Sequence, residues 1–222
     1  ERLLVGSGPR RDELLAAAQA RGIRAAGASA DELGRLAHGA SHQGVVAVLP
    51  PYAYADPDDL LENGARALLF LDGLQDPRNF GAILRTARAV GIGGVLVPRD
   101  RAVGVTSVVV AASAGLIFGL AIARVTNLVR ALEQGKAAGF WTVGLAAGGR
   151  DVFGFDPPAR VAVVLGAEGT GLRSLVRQHC DYEVGIPMAP GVESLNASVA
   201  AGIALYALIG APRQAVPPAP IR

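Results

Sequence analysis

Short apolar runs alternate with amphipathic stretches along most of this chain. Residues 67–71, 94–97, 122–125, 141–145, 161–165 and 183–186 are brief runs rich in Val, Ile and Leu. That is the pattern of strands buried on both faces. Between them lie helical stretches. Residues 79–90 carry an apolar stripe of Phe80, Ile83, Leu84, Ala87 and Val90, and Gly91 stops the helix. Arg78, Arg85 and Arg88 recur at three-and-four spacing on its other face, which reads equally as a solvated arginine face. Further helices are predicted over 106–118, over 127–138 with Thr126 as cap and Gly139 as stop, and from Leu195 to Ile209. Residues 150–158 read as an irregular loop.

The first fifty residues repeat the alternation on a smaller scale. A strand at 3–5 precedes a helix at 12–21 that shows Leu14 and Leu15 on one face and stops at Gly22. A strand at 23–26 follows, then a helix to about Ala37 under a capping box of Ser29 and Glu32, then a strand at 45–49. The segment PPYAYADP, residues 50–57, is the best boundary, with Asp56 capping a short helix that has Pro57 at its first position. Alternating strands and helices predict an α/β protein with a parallel sheet covered on both faces. The expected organisation is a small domain at 1–50, a linker at 51–64, a larger α/β domain at 65–211 and a disordered tail at 212–222.

Two turns stand out because each follows a strand, where open α/β sheets bind ligands. The strand at 161–165 enters a turn with Gly166, Gly169 and Gly171, whose single charge is Glu168. The strand at 183–186 enters a loop with Pro187, Pro190 and Gly191 before the final helix. The first turn lacks the Gly-Lys-Ser/Thr ending of a phosphate loop, and its glycines miss the dinucleotide spacing with its later acidic partner. An oxidoreductase reading therefore has no support.

Composition narrows the picture modestly. Of 222 residues 51% are hydrophobic, ample for a core, and the formal net charge of +2 permits an RNA partner without demanding one. Lys136 is the single lysine among 21 basic residues. Cys180 is the only cysteine, so an intrachain disulfide is excluded and a reducing cytoplasm fits. The opening Glu1-Arg2-Leu3-Leu4 does not read as a signal peptide. Residues 102–122 carry no charge over a length that could span a bilayer, but their glycines, serines and threonine favour a loop, a helix and a strand start. His38 and His42 stand four apart, a metal-compatible spacing that Gly39 and Gly44 weaken as a helix and that lacks a third ligand nearby.

Three long motifs, in order, resemble the SpoU branch of the SPOUT RNA methyltransferases. The first is LDGLQDPRNFGAILRTARAVGIGGVLVP, residues 71–98, and the second and third lie within LGAEGTGLRSLVRQHCDYEVGIPMAPGVESLN, residues 165–196. The resemblance covers about residues 3–208 and is nearest to bacterial enzymes that methylate a guanosine ribose of 23S rRNA. It implies a trefoil-knotted catalytic domain, with the last helix threaded through a loop, although physics alone argues against knots. It implies an RNA-binding domain at the N-terminus, here truncated because relatives begin earlier with an extra helix. It implies S-adenosyl-L-methionine as methyl donor, no metal, and a homodimer formed through the knot helices.

By motif position, Gly166, Ile186, Met188 and Leu195 would contact the cofactor. Asn79, Arg85, Glu168, Ser194 and Asn196 would form the catalytic set, and Arg78 and Arg88 would meet RNA. Asn79 can equally be read as a helix cap, Ser194 or Asn196 as the cap of the last helix, and Glu168 as the partner of Arg173 or of a first-motif arginine. The segment 108–123 is more apolar than its counterpart in relatives and reads either as core or as a further, natural or engineered, contact surface. A transfer-RNA enzyme, a resistance-type ribosomal enzyme and a non-catalytic RNA-binding or assembly protein on the same fold are the alternative functions.

Overall fold

The computed structural model describes residues 2–37 and 41–210. It divides into two compact units, Glu1–Ala53 and Tyr54–Arg222. His38 and the tail at 212–222 fall outside the described residues, and so do the metal-pair and disorder expectations that rest on them. His42 uses its ring Nδ1 to accept the Gly44 N–H at 3.1 Å.

In the first unit, β1 (Arg2–Val5), α1 (Arg11–Gln19), β2 (Ala25–Gly27), α2 (Ala30–Leu36) and β3 (Val45–Val48) form a three-stranded sheet in the order β2-β1-β3. Ser29 caps α2 by accepting the Glu32 N–H at 3.2 Å, as the capping box predicts. β1 pairs parallel with β2 but antiparallel with β3. An all-parallel sheet was the expectation. Alternation shows only that a helix intervenes, not from which end the next strand is entered.

The second unit contains α3 (Pro57–Glu62), β4 (Ala67–Asp72), α4 (Pro77–Val90), β5 (Val95–Pro98), α5 (Ser107–Ala112), β6 (Ile122–Val125), α6 (Leu128–Ala137), β7 (Trp141–Asp151), β8 (Val161–Gly166), α7 (Ser174–Gln178), β9 (Tyr182–Gly185) and α8 (Ala197–Ile209). Its six strands run in the order β6-β5-β4-β8-β7-β9, and every pair is parallel. β4 is buried at all six positions, as its apolar run requires. After β9, at the sheet edge, the chain returns to lay α8 against α4 and β8. That return is the crossing a trefoil knot needs.

Several boundaries differ from the periodic pattern. α4 starts at Pro77, inside the predicted turn, because Asp76 caps it by accepting the N–H groups of Arg78 at 3.1 Å and Asn79 at 3.2 Å. Asn127, not Thr126, caps α6, accepting from the Arg130 N–H at 3.1 Å. The helix expected over 106–118 ends at Ala112. Ala114 (φ 51°) and Gly115 (φ 76°) turn left-handed, and a short 3-10 turn, Leu116–Gly119, follows. β7 extends to Asp151, through residues read as loop, with a register shift between Leu145 and Arg150 against β9. At Gly149 an added Cβ would lie 2.5 Å from the Val184 carbonyl carbon, so glycine marks close strand approach there. The apolar 108–123 segment divides its side chains. Val109, Ile117, Leu120 and Ile122 are buried, while Val108, Leu116 and Phe118 are exposed. Among the described residues no helix is long and apolar enough to cross a membrane.

Candidate functional site

Strand ends of β7, β8 and β9 deliver three loops to one cleft of about 310 Å³. Leu145–Ala147 of β7 form one wall, the turn at 165–172 another, and residues 186–195 with the start of α8 the third. Gly166, Ile186, Met188 and Leu195 all line it, together with Glu168 and Ser194. Small residues of α8, Ala197, Ala200 and Ala201, keep the wall close to the cleft.

Gly166 explains the shape of the turn. A Cβ there would stand 2.0 Å from the carbonyl carbon of Gly171 and 2.3 Å from the Leu172 nitrogen. No side chain fits, so the strand end and the returning turn touch backbone to backbone. Ala167 and Gly171 close the turn with reciprocal bonds of 3.1 and 2.9 Å. Gly169 (φ 77°) and Gly171 (φ 65°) supply its left-handed corners.

One side-chain chain ties the three motifs together. Asn79, buried at 7% exposure, donates through Nδ2 to Glu168 Oε2 at 2.8 Å. Its Oδ1 accepts from Asn196 Nδ2 at 3.1 Å. Asn196 Oδ1 accepts the N–H of Ser198 at 3.0 Å and of Val199 at 3.4 Å, capping α8. Both faces of the Asn79 amide are thus used, and the capping role proposed for it belongs to Asp76. Asn196 does cap the last helix, while Ser194 lines the cleft. Glu168 partners Asn79 rather than Arg173 or an arginine of α4.

Arg173 instead meets Asp72, a pair that sequence reasoning missed. Asp72, 1% exposed at the end of β4, accepts from Arg173 Nε at 2.7 Å, Nη2 at 2.6 Å and the backbone N at 2.8 Å. Each charge follows a buried strand or its turn, but they are 101 positions apart and nothing local links them. Arg177 lines the cleft and forks onto Glu183 at 2.8 and 2.5 Å, which raises the guanidinium pKa and lowers that of the carboxylate. Arg78, Arg85 and Arg88 are exposed on α4. None of the three lines the cleft, and six residues of helix put Arg85 about 9 Å along the axis from Asn79. A second cavity of about 450 Å³ lies across the 166–171 turn, with Asn79 and Glu168 in its wall.

The SpoU rRNA methylase family matches residues 66–206, and the module described as RNA 2′-O ribose methyltransferase substrate binding matches residues 1–55. Parallel sheet, glycine turn and returning helix are therefore those of an α/β RNA methyltransferase. The chain belongs to the SpoU rRNA methylase family. It is 48% identical over 171 residues to a Bacillus subtilis protein named for the TrmH family of tRNA/rRNA methyltransferases, covering 74% of this chain and 69% of that protein. It is 48% identical over 182 residues to a Mycobacterium avium protein described as a tRNA/rRNA methyltransferase, covering 78% of this chain. The chain spans only 58% of that relative's length.

Solved structures agree. An AdoMet-bound rRNA methyltransferase from Sinorhizobium meliloti superposes with TM-score 0.78 at 26% identity, covering 93% of this chain and 78% of that one. The SpoU methyltransferase AviRb from Streptomyces viridochromogenes, in complex with AdoMet, gives TM-score 0.75 at 31% identity, covering 93% and 80%. The cleft fits that cofactor. Its small, apolar walls suit a neutral adenine, and the carboxylates of Glu168 and Glu193 suit a cationic sulfonium.

Proposed function

We propose that the chain methylates a ribose 2′-hydroxyl in RNA, with a guanosine of 23S rRNA as the first target. The observation that carries this reading is the Glu168–Asn79–Asn196 chain, which ties α4 of the first motif to the second- and third-motif loops that line the cleft. When bound, S-adenosyl-L-methionine supplies a methyl group activated by its sulfonium. Gly166, Ile186, Met188 and Leu195 would hold it, largely through apolar walls and backbone groups. Asn79 and Asn196 keep Glu168 and the start of α8 in place, and Ser194 faces the cleft from the third motif. Arg85 is not assigned as the base, since guanidinium groups stay charged in proteins. It would hold the attacking oxygen or a neighbouring phosphate and stabilise charge as it develops. Orientation of oxygen against methyl supplies much of the remaining rate.

Arg78 and Arg88 extend the exposed arginine face of α4 and are the proposed phosphate contacts. The substrate-binding module at 1–55 supports RNA capture by the first unit. α8 is apolar all round yet leaves Val199 and Tyr206 exposed, which supports an isologous homodimer through this helix. Val108, Leu116 and Phe118 support a further contact surface.

Transfer of labelled methyl to unmodified rRNA and, separately, to unmodified tRNA tests the reading. Wild type labels one RNA. Arg85→Ala loses about 100-fold or more in rate, the scale of a missing transition-state donor, while cofactor still binds it. Asn79→Ala also loses rate, because Glu168 and Asn196 lose the amide that positions them. Full activity in Asn79→Ala would contradict the role given to the polar chain.

A further inference from the structure

The second cavity lies where the sheet's connections diverge. From β4 the chain proceeds to β5 on one side, and from the neighbouring β8 it proceeds to β9 on the other, with Asp72 in register with Gly166. Such switch points, outside the strands' carboxyl ends, are where open parallel sheets receive ligands. The cofactor cleft occupies the β7–β9 side of the glycine turn. The cavity occupies the β4–β5 side and shares Glu168 with the cleft.

We propose that this cavity seats the base of the RNA nucleotide being modified, and that Asp100 and Gln75 select guanine there. The proposal rests on the RNA-methyltransferase reading above. An enzyme acting on one nucleotide splays it out of its stack and reads the base edge in a pocket. Four carboxylates line this one. Three are engaged: Asp72 by Arg173, Asp76 by the start of α4, and Glu168 by Asn79. Asp100 makes no hydrogen bond or ion pair among the described residues, and neither does the Gln75 side chain.

A carboxylate only accepts hydrogen bonds, and an amide can donate beside it. Guanine's Watson–Crick edge offers two adjacent donors, N1–H and the exocyclic amine, beside the O6 acceptor. Asp100 and Gln75 together complement that edge. Adenine would set its N1 lone pair against the carboxylate, and the two would repel.

The loops bearing this pair are fixed to each other. The Val103 N–H donates to the Leu74 carbonyl at 2.9 Å, joining the β4 loop to the β5 loop. Arg101, beside Asp100, holds a left-handed backbone at φ 56°, a conformation that a non-glycine residue keeps only where its surroundings enforce it. Arg101, which also lines the cavity, supplies positive charge for the nucleotide's phosphate.

The test titrates 5′-GMP and 5′-AMP separately onto the full chain, with backbone amide resonances as readout. GMP should shift amides of residues 73–79 and 98–101 and bind about 5- to 100-fold more tightly than AMP, the discrimination of a good bidentate pair. Asp100→Asn should abolish that preference and Gln75→Ala should weaken GMP binding, with cofactor affinity by calorimetry and the melting temperature unchanged in both. Equal binding of the two nucleotides, or an unaltered preference in Asp100→Asn, would overturn the proposal. A parallel methyl-transfer assay separates it from the reading beneath it. If GMP selectivity depends on Asp100 while wild type methylates no RNA, guanine selection by Asp100 stands, and the methyltransferase reading fails together with the assignment of the base to a modified nucleotide.

Discussion

Gly166 concentrates the constraints on the cleft at a single Cα. The strand before it is buried, and the turn after it folds back until Gly171 and Leu172 occupy the space a side chain would need. Gly166→Ala forces backbone against backbone, where no flexible atom can give way. The expected outcome is a loss of about 3 kcal/mol or more of stability, with cofactor binding weakened at least in proportion to the opened turn. Thermal melting and calorimetry read the two effects, and cofactor binding equal to wild type would remove the constraint argument. Asn79 shows how polar residues take on two duties. Its buried amide satisfies both neighbours, so neither of its own polar atoms is left unpaired. The presence of Glu168, Asn79 and Asn196 at motif spacing was legible in the sequence. Their mutual bonding was not, because hydrogen bonds across 89 and 117 positions depend on how the loops are brought together.

Elements built on strong periodicity were read well, and those ended by unusual backbone were not. β4 and β8 follow directly from their apolar runs, and α4 from its stripe. The break after α5 depends on Ala114 adopting φ 51°, which an alanine does rarely and no sequence pattern announces. β7 runs past the apolar stretch 141–145 that predicts it, because Gly149 admits β9 at close range, a contact that no local pattern announces. That pair of strands is fastened by Asp181, which accepts from the Thr142 N–H and Oγ1, both at 2.8 Å, and from Lys136 Nζ at 3.2 Å. Partial burial pushes the Asp181 carboxyl pKa up, but the Thr142 bonds and Lys136 outweigh it, and the net shift is below the usual 3.8. A lowered carboxylate pKa contributes stability that is fully present above the unfolded value and lost as pH falls through the folded one. The stability gap between wild type and Asp181→Asn should therefore hold from neutrality to about pH 4 and narrow below it. Denaturant midpoints across that range check it, and a gap constant down to about pH 2.5 would refute the assignment.

At the scale of the whole molecule, one parallel sheet places every motif at its strand ends and uses the 166–171 turn as a partition. On one side lies the cleft that suits S-adenosyl-L-methionine, on the other the cavity assigned to the target base. The resemblance of the motifs made the fold class legible from sequence, while periodicity alone stopped at a parallel α/β sheet and gave no hint of the crossing from β9 to α8. The Asp72–Arg173 pair, which joins the first and second motifs beneath the partition, was likewise out of reach of local pattern. The central claim is that this arrangement methylates ribose, not a base. Its most direct test is mass spectrometry of the nucleosides released from RNA after incubation with the chain and labelled cofactor. The account predicts a single 2′-O-methylated nucleoside, guanosine, from wild type and none from Arg85→Ala. A methyl on a base, or no product from a chain that binds the cofactor, would contradict it.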